Sequence, residues 1–129
     1  MNEQLDASSM LAIARRDFRS LSNMTDPELF EDVSFGFFAQ QAVEKAFKAR
    51  IAATGAKYPF THEILSLVDL LGDLGETVPK AFESLDQFTD FGVQFRYTRD
   101  EFSASILDRR YVIDEISKLL EVVQRRIDQ

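Results

Sequence analysis

Few residues of this chain have side chains that could hold a ligand or take part in catalysis. His62 is the only histidine and Cys is absent, so disulfides, zinc–thiolate sites and cysteine nucleophiles are excluded. His62 follows Thr61 at a predicted helix start, where the positive end of the helix dipole favours a neutral imidazole. A lone histidine is more often a structural residue that hydrogen-bonds across its loop. The functional interpretation is a site residue near a bound phosphate or base.

Basic side chains form a second group of candidates. Lys45 and Lys48 lie on one predicted helix with Gln40, Gln41 and Glu44, and Glu44 and Lys48 have the i, i+4 spacing of a helical ion pair. On a solvated helix face such a pair contributes only about 0.3–0.5 kcal/mol. Solvent exposure of this face is the simpler interpretation. Binding of an anionic ligand by the two lysines is the functional one.

Arginines near the last helix form a third group. Arg96, Tyr97 and Arg99 occur in the segment FRYTRDEF, which we expect to be a loop that presents guanidinium groups to phosphate or carboxylate. Arg109 interrupts an apolar helix seam, where a long cation must reach solvent, pair with a carboxylate or meet a ligand. For Arg109 we predict a buried or interface ion pair rather than a catalytic role.

The motifs of common nucleotide and metal enzymes are missing. The sequence has no G-x-x-x-x-G-K-[ST], G-x-G-x-x-G, H-E-x-x-H or EF-hand loop, and no E-x-x-H pair of the kind that holds di-iron centres. We therefore expect no metal ion and no other cofactor.

Charge and hydropathy exclude several further classes. The 129 residues carry 15 Lys+Arg and 22 Asp+Glu, a net charge of −7, which weighs against sequence-independent binding of duplex nucleic acid. The first residues lack the pattern of a signal or transit peptide. No apolar run approaches the ~20 residues of a membrane span. We expect a soluble protein of the cytoplasm.

Helices are predicted to position all of these residues. With 45% hydrophobic residues but only 5 Gly and 3 Pro, the chain is predicted to be one nearly all-helical domain over residues 1–129. Apolar spacing, capping residues and the positions of Gly and Pro predict five helices. They run from about Asn2 to Leu21, from Thr25–Pro27 to about Thr54, from Thr61 to Gly72 or Gly75, from Thr77 and Pro79 to about Phe95, and onward from a Thr98–Glu101 capping box.

Two of these helices have regular apolar seams. The second helix carries a line of small residues, namely Ala39, Ala42, Ala46, Ala49 and Ala53. The last helix has a heptad series, namely Ile106, Ile113, Ile116, Leu120, Val123 and Ile127, widened by Leu107, Val112, Leu119 and Val122. An ordinary packed core is the simpler interpretation of the alanine line. For the last helix, core burial and a dimer surface are both open.

Several segments together resemble a known family. FFAQQAVEKAFKARIAATG, then THEILSLVDLL, then LDQFTDFGVQFRY and a long last helix resemble the HEPN domain (higher eukaryotes and prokaryotes nucleotide-binding) from about Leu29 to Ile127. The resemblance implies an all-α, up-and-down four-helix bundle with a short additional helix, and a homodimer. It also implies a partner, a minimal nucleotidyltransferase, with which such proteins form toxin–antitoxin pairs.

Many proteins of that family are metal-independent ribonucleases with an Arg followed, after four to six residues, by a His. This chain lacks that pattern: no His follows Arg96, Arg99, Arg109 or Arg110, and His62 corresponds to the family's TH position instead. Without an imidazole beside the arginine, no obvious group takes the proton of a 2′-hydroxyl. The sequence therefore favours a protein without ribonuclease activity.

Two main hypotheses follow from the resemblance. The first is a dimeric module that binds a nucleotidyltransferase and a nucleotide or RNA, with Lys45, Lys48, His62, Arg96 and Tyr97 as ligand-binding residues. The second is a divergent ribonuclease in which Arg96 stabilises the scissile phosphate. A third possibility is a shared fold without any ligand.

In the ribonuclease hypothesis the missing base needs a replacement. The candidates are Tyr97, Glu101, or a His62 contributed by the second subunit of a dimer.

Overall fold

A computed structural model describes residues 4–88 and 108–129, and this part of the chain is helical and contains no strand. The helices are α1 (Ala7–Ser22), α2 (Asp32–Ala53), α3 (Ile64–Asp73), the single turn α4 (Lys80–Glu83) and α5 (Arg109–Asp128), with a short 3-10 helix over Ser84–Phe88 after α4. The all-α prediction is confirmed. No described helix is long and apolar enough to cross a membrane.

Helix α2 lies at the centre of the molecule. Helices α1, α3 and α5 all pack against it, and 14 of its 22 residues are buried. A helix that is covered on most sides needs apolar residues around most of its circumference. The alanine line fits this position, because Ala39, Ala42, Ala46 and Ala49 are fully buried. The interpretation of α2 as a packed core helix is confirmed.

The heptad seam of α5 is also part of the core of the single chain. Ile116, Leu120 and Val123 are buried, as are Val112 and Leu119 of the wider stripe. Ile106 and Leu107 lie outside the described residues. Ile113, Val122 and Ile127 are only partly buried, although they pack against the same core. The structure therefore favours core burial for both seams.

The starts of α1 and α2 were predicted too early. Helix α1 begins at Ala7 rather than near Asn2, because Asp6 caps it by accepting a hydrogen bond from the amide of Ser9 at 2.7 Å. Helix α2 begins at Asp32 rather than at Pro27. Asp26 caps a separate turn instead, with its carboxylate accepting from the amide of Glu28 at 2.9 Å.

Helix α3 also begins later than predicted, but its end is correct. Thr61 accepts from the amide of Glu63, and the helix starts at Ile64. Gly72 lies within the helix, and Gly75 follows it with a φ of +82°. The amide of Glu76 donates to the carbonyl of Leu71 at 2.9 Å and that of Gly75 donates to the carbonyl of Gly72 at 3.1 Å. These two bonds form a Schellman motif, which requires the left-handed conformation that glycine adopts without strain.

The remaining boundaries are only partly described. The predicted fourth helix is observed as α4 and the 3-10 helix up to Phe88, and its expected end near Phe95 lies outside the described residues. The Thr98–Glu101 capping box also lies outside them. Helix α5 is capped at Asp108, whose carboxylate accepts from the amide of Tyr111 at 3.1 Å.

Arg109 fastens the start of α5 to the segment that precedes α2. Its guanidinium donates to the carbonyls of Met24 and Phe30, both at 2.7 Å, and to the carboxylate of Asp32 at 2.8 Å. It also lies over the ring of Phe35, 4.9 Å from the centroid. Arg109 is buried, so the predicted buried ion pair is confirmed.

Candidate functional site

The candidate site is a polar network between α2 and the loop before α3. Its centre is the carboxylate of Glu44 on α2. Oε1 of Glu44 lies 3.0 Å from Nδ1 of His62 and accepts from the side-chain amide of Gln40 at 2.6 Å. Oε2 of Glu44 accepts from Nζ of Lys48 at 2.8 Å. One carboxylate therefore joins the histidine that the sequence singled out to one of the two predicted lysines.

The sequence-based view of Glu44 and Lys48 as a solvated surface pair was wrong. Their side chains are only 5% and 10% exposed, because α2 is covered on the side that a surface helix would leave open. Removing one partner of a buried pair leaves the other charge unpaired and costs far more than breaking a surface pair. This pair therefore fixes the structure of the site as well as its charge.

Lys45 is engaged in a separate ion pair that extends the network towards α1. Its Nζ donates to the carboxylate of Asp17 at 2.7 Å and to Oε1 of Gln41 at 2.9 Å. The side-chain amide of Gln41 in turn donates to Oε1 of Gln40 at 2.7 Å. A continuous chain of hydrogen bonds thus connects Asp17 on α1 with the Glu44 carboxylate. The ammonium groups of Lys45 and Lys48 both face carboxylates rather than open solvent.

His62 differs from these residues because its side chain is 73% exposed. Burial of the Glu44 carboxyl would raise its pKa, but hydrogen bonds from Lys48, His62 and Gln40 outweigh burial and lower the pKa. The group is therefore an ionised carboxylate at neutral pH. An ionised carboxylate only accepts hydrogen bonds, so Nδ1 of His62 carries the hydrogen and Nε2 is the ring nitrogen left for a ligand.

The loop that carries His62 is anchored by the segment before α1. The backbone carbonyl and amide of Tyr58 both bond to the side chain of Gln4, at 2.6 and 3.0 Å. The hydroxyl of Tyr58 accepts from the amide of Leu5 at 2.9 Å, and Nζ of Lys48 lies 5.9 Å from the centroid of the Tyr58 ring. The loop is thus fixed on one side by Tyr58 and on the other by His62.

A second charged cluster, which the sequence did not indicate, lies where α2, the α3–α4 loop and α5 meet. Oε1 of Glu76 accepts from Nε of Arg50 at 3.1 Å and from Nε of Arg126 at 3.0 Å. Nη2 of Arg50 also donates to the carbonyl of Thr77 at 2.8 Å. The Schellman motif at Gly75 places Glu76 between the two arginines. This cluster links three elements and therefore stabilises the fold.

Acid should destabilise the protein through the carboxylates of Glu44 and Glu76. Burial would raise the pKa of Glu76, but the hydrogen bonds and charges of Arg126 and Arg50 lower it below 4.5. A lowered pKa in the folded state means that the stabilisation is present above the unfolded value and is lost as the pH falls through the folded value. We expect the free energy of unfolding to decrease as the pH falls below about 4.5, measured by urea unfolding at a series of pH values.

Glu76→Gln tests this assignment. The variant should be about 1–3 kcal/mol less stable than the wild type at neutral pH, because two charge-assisted hydrogen bonds are weakened, and it should lose less stability in acid. Glu28→Gln, which alters an exposed carboxylate, is the matched control. An acid profile of Glu76→Gln that parallels the wild type would contradict the prediction.

The remaining predicted site residues, Arg96 and Tyr97, lie outside the described residues, as does Glu101. The structure therefore brings together Lys48 and His62, with Lys45 connected through Gln41 and Gln40. Within the described residues no group of three or more His, Cys, Asp or Glu side chains could hold a metal ion.

The described part of the chain is thus a set of packed helices, with a buried carboxylate on the central helix α2 that holds an exposed imidazole. The HEPN domain family matches residues 7–127. The chain belongs to the HEPN domain family. No curated protein and no solved structure matches it.

Proposed function

We propose that this protein is a nucleotide-binding module whose site lies at His62. The observation that carries the proposal is the contact of 3.0 Å between Nδ1 of His62 and the buried Glu44 carboxylate. The side chain of His62 is itself 73% exposed. A histidine held in this way has a fixed ring orientation, and its Nε2 is free to hydrogen-bond to a ligand. Family membership supports a nucleotide as that ligand.

The charges around His62 fit a phosphate group only in part. Lys45 and Lys48, which the sequence indicated as ligand-binding, are paired with Asp17 and Glu44. In the proposal they act indirectly, because Lys48 holds the carboxylate that orients His62. Lys57 is exposed in the same loop and forms no ion pair with another described residue. In the proposal Lys57 and Arg96 supply the cations for a phosphate, and Tyr97 completes the site.

The proposal extends to the assembly of the protein. We propose an up-and-down four-helix bundle that forms a homodimer in the cytoplasm and binds a minimal nucleotidyltransferase in a toxin–antitoxin-like pair. Family membership supports this assembly. Most residues of both apolar seams are buried within one chain, whereas Leu29 and Tyr111 are exposed apolar side chains available for such contacts.

The alternative function is a divergent, metal-independent ribonuclease, and one observation favours it. An imidazole that donates from Nδ1 to a buried carboxylate and leaves Nε2 free is an arrangement found in histidines that act as general bases. In this alternative Arg96 stabilises the scissile phosphate, and His62, rather than Tyr97 or Glu101, takes the proton of the 2′-hydroxyl.

His62→Ala is expected to weaken the binding of ATP by about 10-fold or more, since a hydrogen bond to a charged phosphate contributes about 1.5–3 kcal/mol. Isothermal titration calorimetry of the purified protein would measure the affinity, beside a cleavage assay on single-stranded RNA. Arg19→Ala, which removes an exposed cation of α1, should bind ATP like the wild type.

The two functions give different results. ATP binding that depends on His62, with the RNA intact, supports the binding module. RNA cleavage that is lost in both His62→Ala and Arg96→Ala supports the ribonuclease. Identical ATP affinity in His62→Ala and the wild type, without cleavage, would overturn the proposed site.

A further inference from the structure

The most exposed large apolar side chain among the described residues is Phe60. It is 83% exposed and lies two residues before His62 in the same loop. Most large apolar side chains of the described residues are packed into one core. A phenylalanine that stays outside such a core forgoes the free energy of burial.

The loop holds Phe60 in this position from both sides. Tyr58 is buried and its backbone amide, carbonyl and hydroxyl are all bonded to Gln4 and Leu5. His62 is held by Glu44. Pro59, directly before Phe60, restricts the backbone further because its ring fixes φ. Phe60 therefore lies two residues from His62, in a loop with anchors on both flanks.

We propose that Phe60 is the surface on which the base of the bound nucleotide stacks, while His62 contacts the phosphate. The inference rests on the proposed function, since it needs a phosphate-bearing ligand at His62. Proteins that bind single-stranded nucleic acids combine groups that contact phosphate with exposed aromatic rings on which the bases stack. Because every base has a π-face, stacking on Phe60 accepts any base. The ligand class is a nucleobase that carries phosphate, either as a free nucleotide or within single-stranded RNA.

The experiment compares ligands with and without a base. ATP, inorganic tripolyphosphate and a short single-stranded RNA are titrated into the full chain and into Phe60→Ala, Phe60→Trp and His62→Ala. Stacking on one aromatic residue corresponds to about 5- to 100-fold in affinity. Phe60→Ala should therefore weaken ATP binding by that factor and leave the affinity for tripolyphosphate unchanged, and Phe60→Trp should restore it. Leu74→Ala, at another exposed apolar side chain (37%), is the matched control.

The two proposals fail in different ways. If His62→Ala weakens the binding of both ATP and tripolyphosphate but Phe60→Ala weakens the binding of neither ATP nor RNA, the phosphate site stands and the stacking inference is overturned. If none of the ligands binds, the proposed function itself fails. The RNA titration shows which ligand the site accepts. If Phe60→Ala loses affinity for RNA and not for ATP, the ligand is RNA, and the reverse result identifies the free nucleotide.

A competing explanation of Phe60 is a contact with a second copy of the chain. Light scattering of wild type and Phe60→Ala separates the two. An unchanged oligomeric state, together with the loss of ATP affinity, supports base stacking. A dimer that dissociates in Phe60→Ala while the affinity per chain for ATP stays the same would overturn it.

Discussion

Arg109→Ala is expected to lower the free energy of unfolding by about 3–5 kcal/mol, the range for breaking a buried charge pair. The substitution removes the donors for the carbonyls of Met24 and Phe30 and leaves the Asp32 carboxylate without its partner. It also removes the guanidinium from the ring of Phe35. Since Asp32 is the first residue of α2, the start of that helix should loosen together with the start of α5.

Urea unfolding followed by circular dichroism would measure this change. Arg110→Ala is the matched control, because Arg110 is the next residue of α5 and is exposed. Its effect should stay within about 0.5 kcal/mol. Arg109→Lys should restore only part of the stability, because a single ammonium group cannot reproduce the planar fork that reaches three acceptors. Equal stability of Arg109→Ala and Arg110→Ala would refute the role assigned to Arg109.

The sequence predicted helix identity better than helix starts, and the reason is local. Periodicity and Gly positions located α2 and the ends of α2 and α3 correctly, since Gly55 and Gly75 adopt positive φ directly after them. The starts were wrong because capping residues are common and compete. Asp6 caps α1 although the residues before it are compatible with a helix. Asp26 stabilises a turn instead of α2.

Prediction of the site was limited by contacts between distant parts of the chain. His62 and Lys48 were singled out because of their residue types and spacing. Their connection through a buried Glu44 was not predicted, because i, i+4 spacing does not show whether a helix face is covered. The anchoring of Tyr58 by Gln4 joins residues 54 positions apart, and no local pattern signals such a pair. The same holds for Arg50 and Glu76.

Glu44→Gln is expected to lower the free energy of unfolding by about 3–5 kcal/mol, although it conserves the size of the side chain. Lys48 has a side chain that is only 10% exposed and would keep its charge without a counterion. His62 and Gln40 would also lose an ionised acceptor. Glu121→Gln, at an exposed position of α5, is the control and should have almost no effect. A loss in Glu44→Gln as small as in the control would show that the pair is solvated after all.

The double variant Glu44→Gln/Lys48→Met tests whether the penalty comes from the unpaired ammonium group. Replacing both charges removes it, so the double variant should be more stable than Glu44→Gln alone.

The pH dependence has a defined sign. The pKa of Glu44 is lowered in the folded state, so the stability difference between the wild type and Glu44→Gln should be largest above 4.5, the ordinary value. It should shrink as the pH falls through the lowered value. If the difference instead grows in acid, Glu44 is not held as a carboxylate. In that case Glu44→Gln should also leave the ATP affinity unchanged, because His62 would not be oriented by a carboxylate. Stability and ATP binding are therefore independent measurements of the same contact.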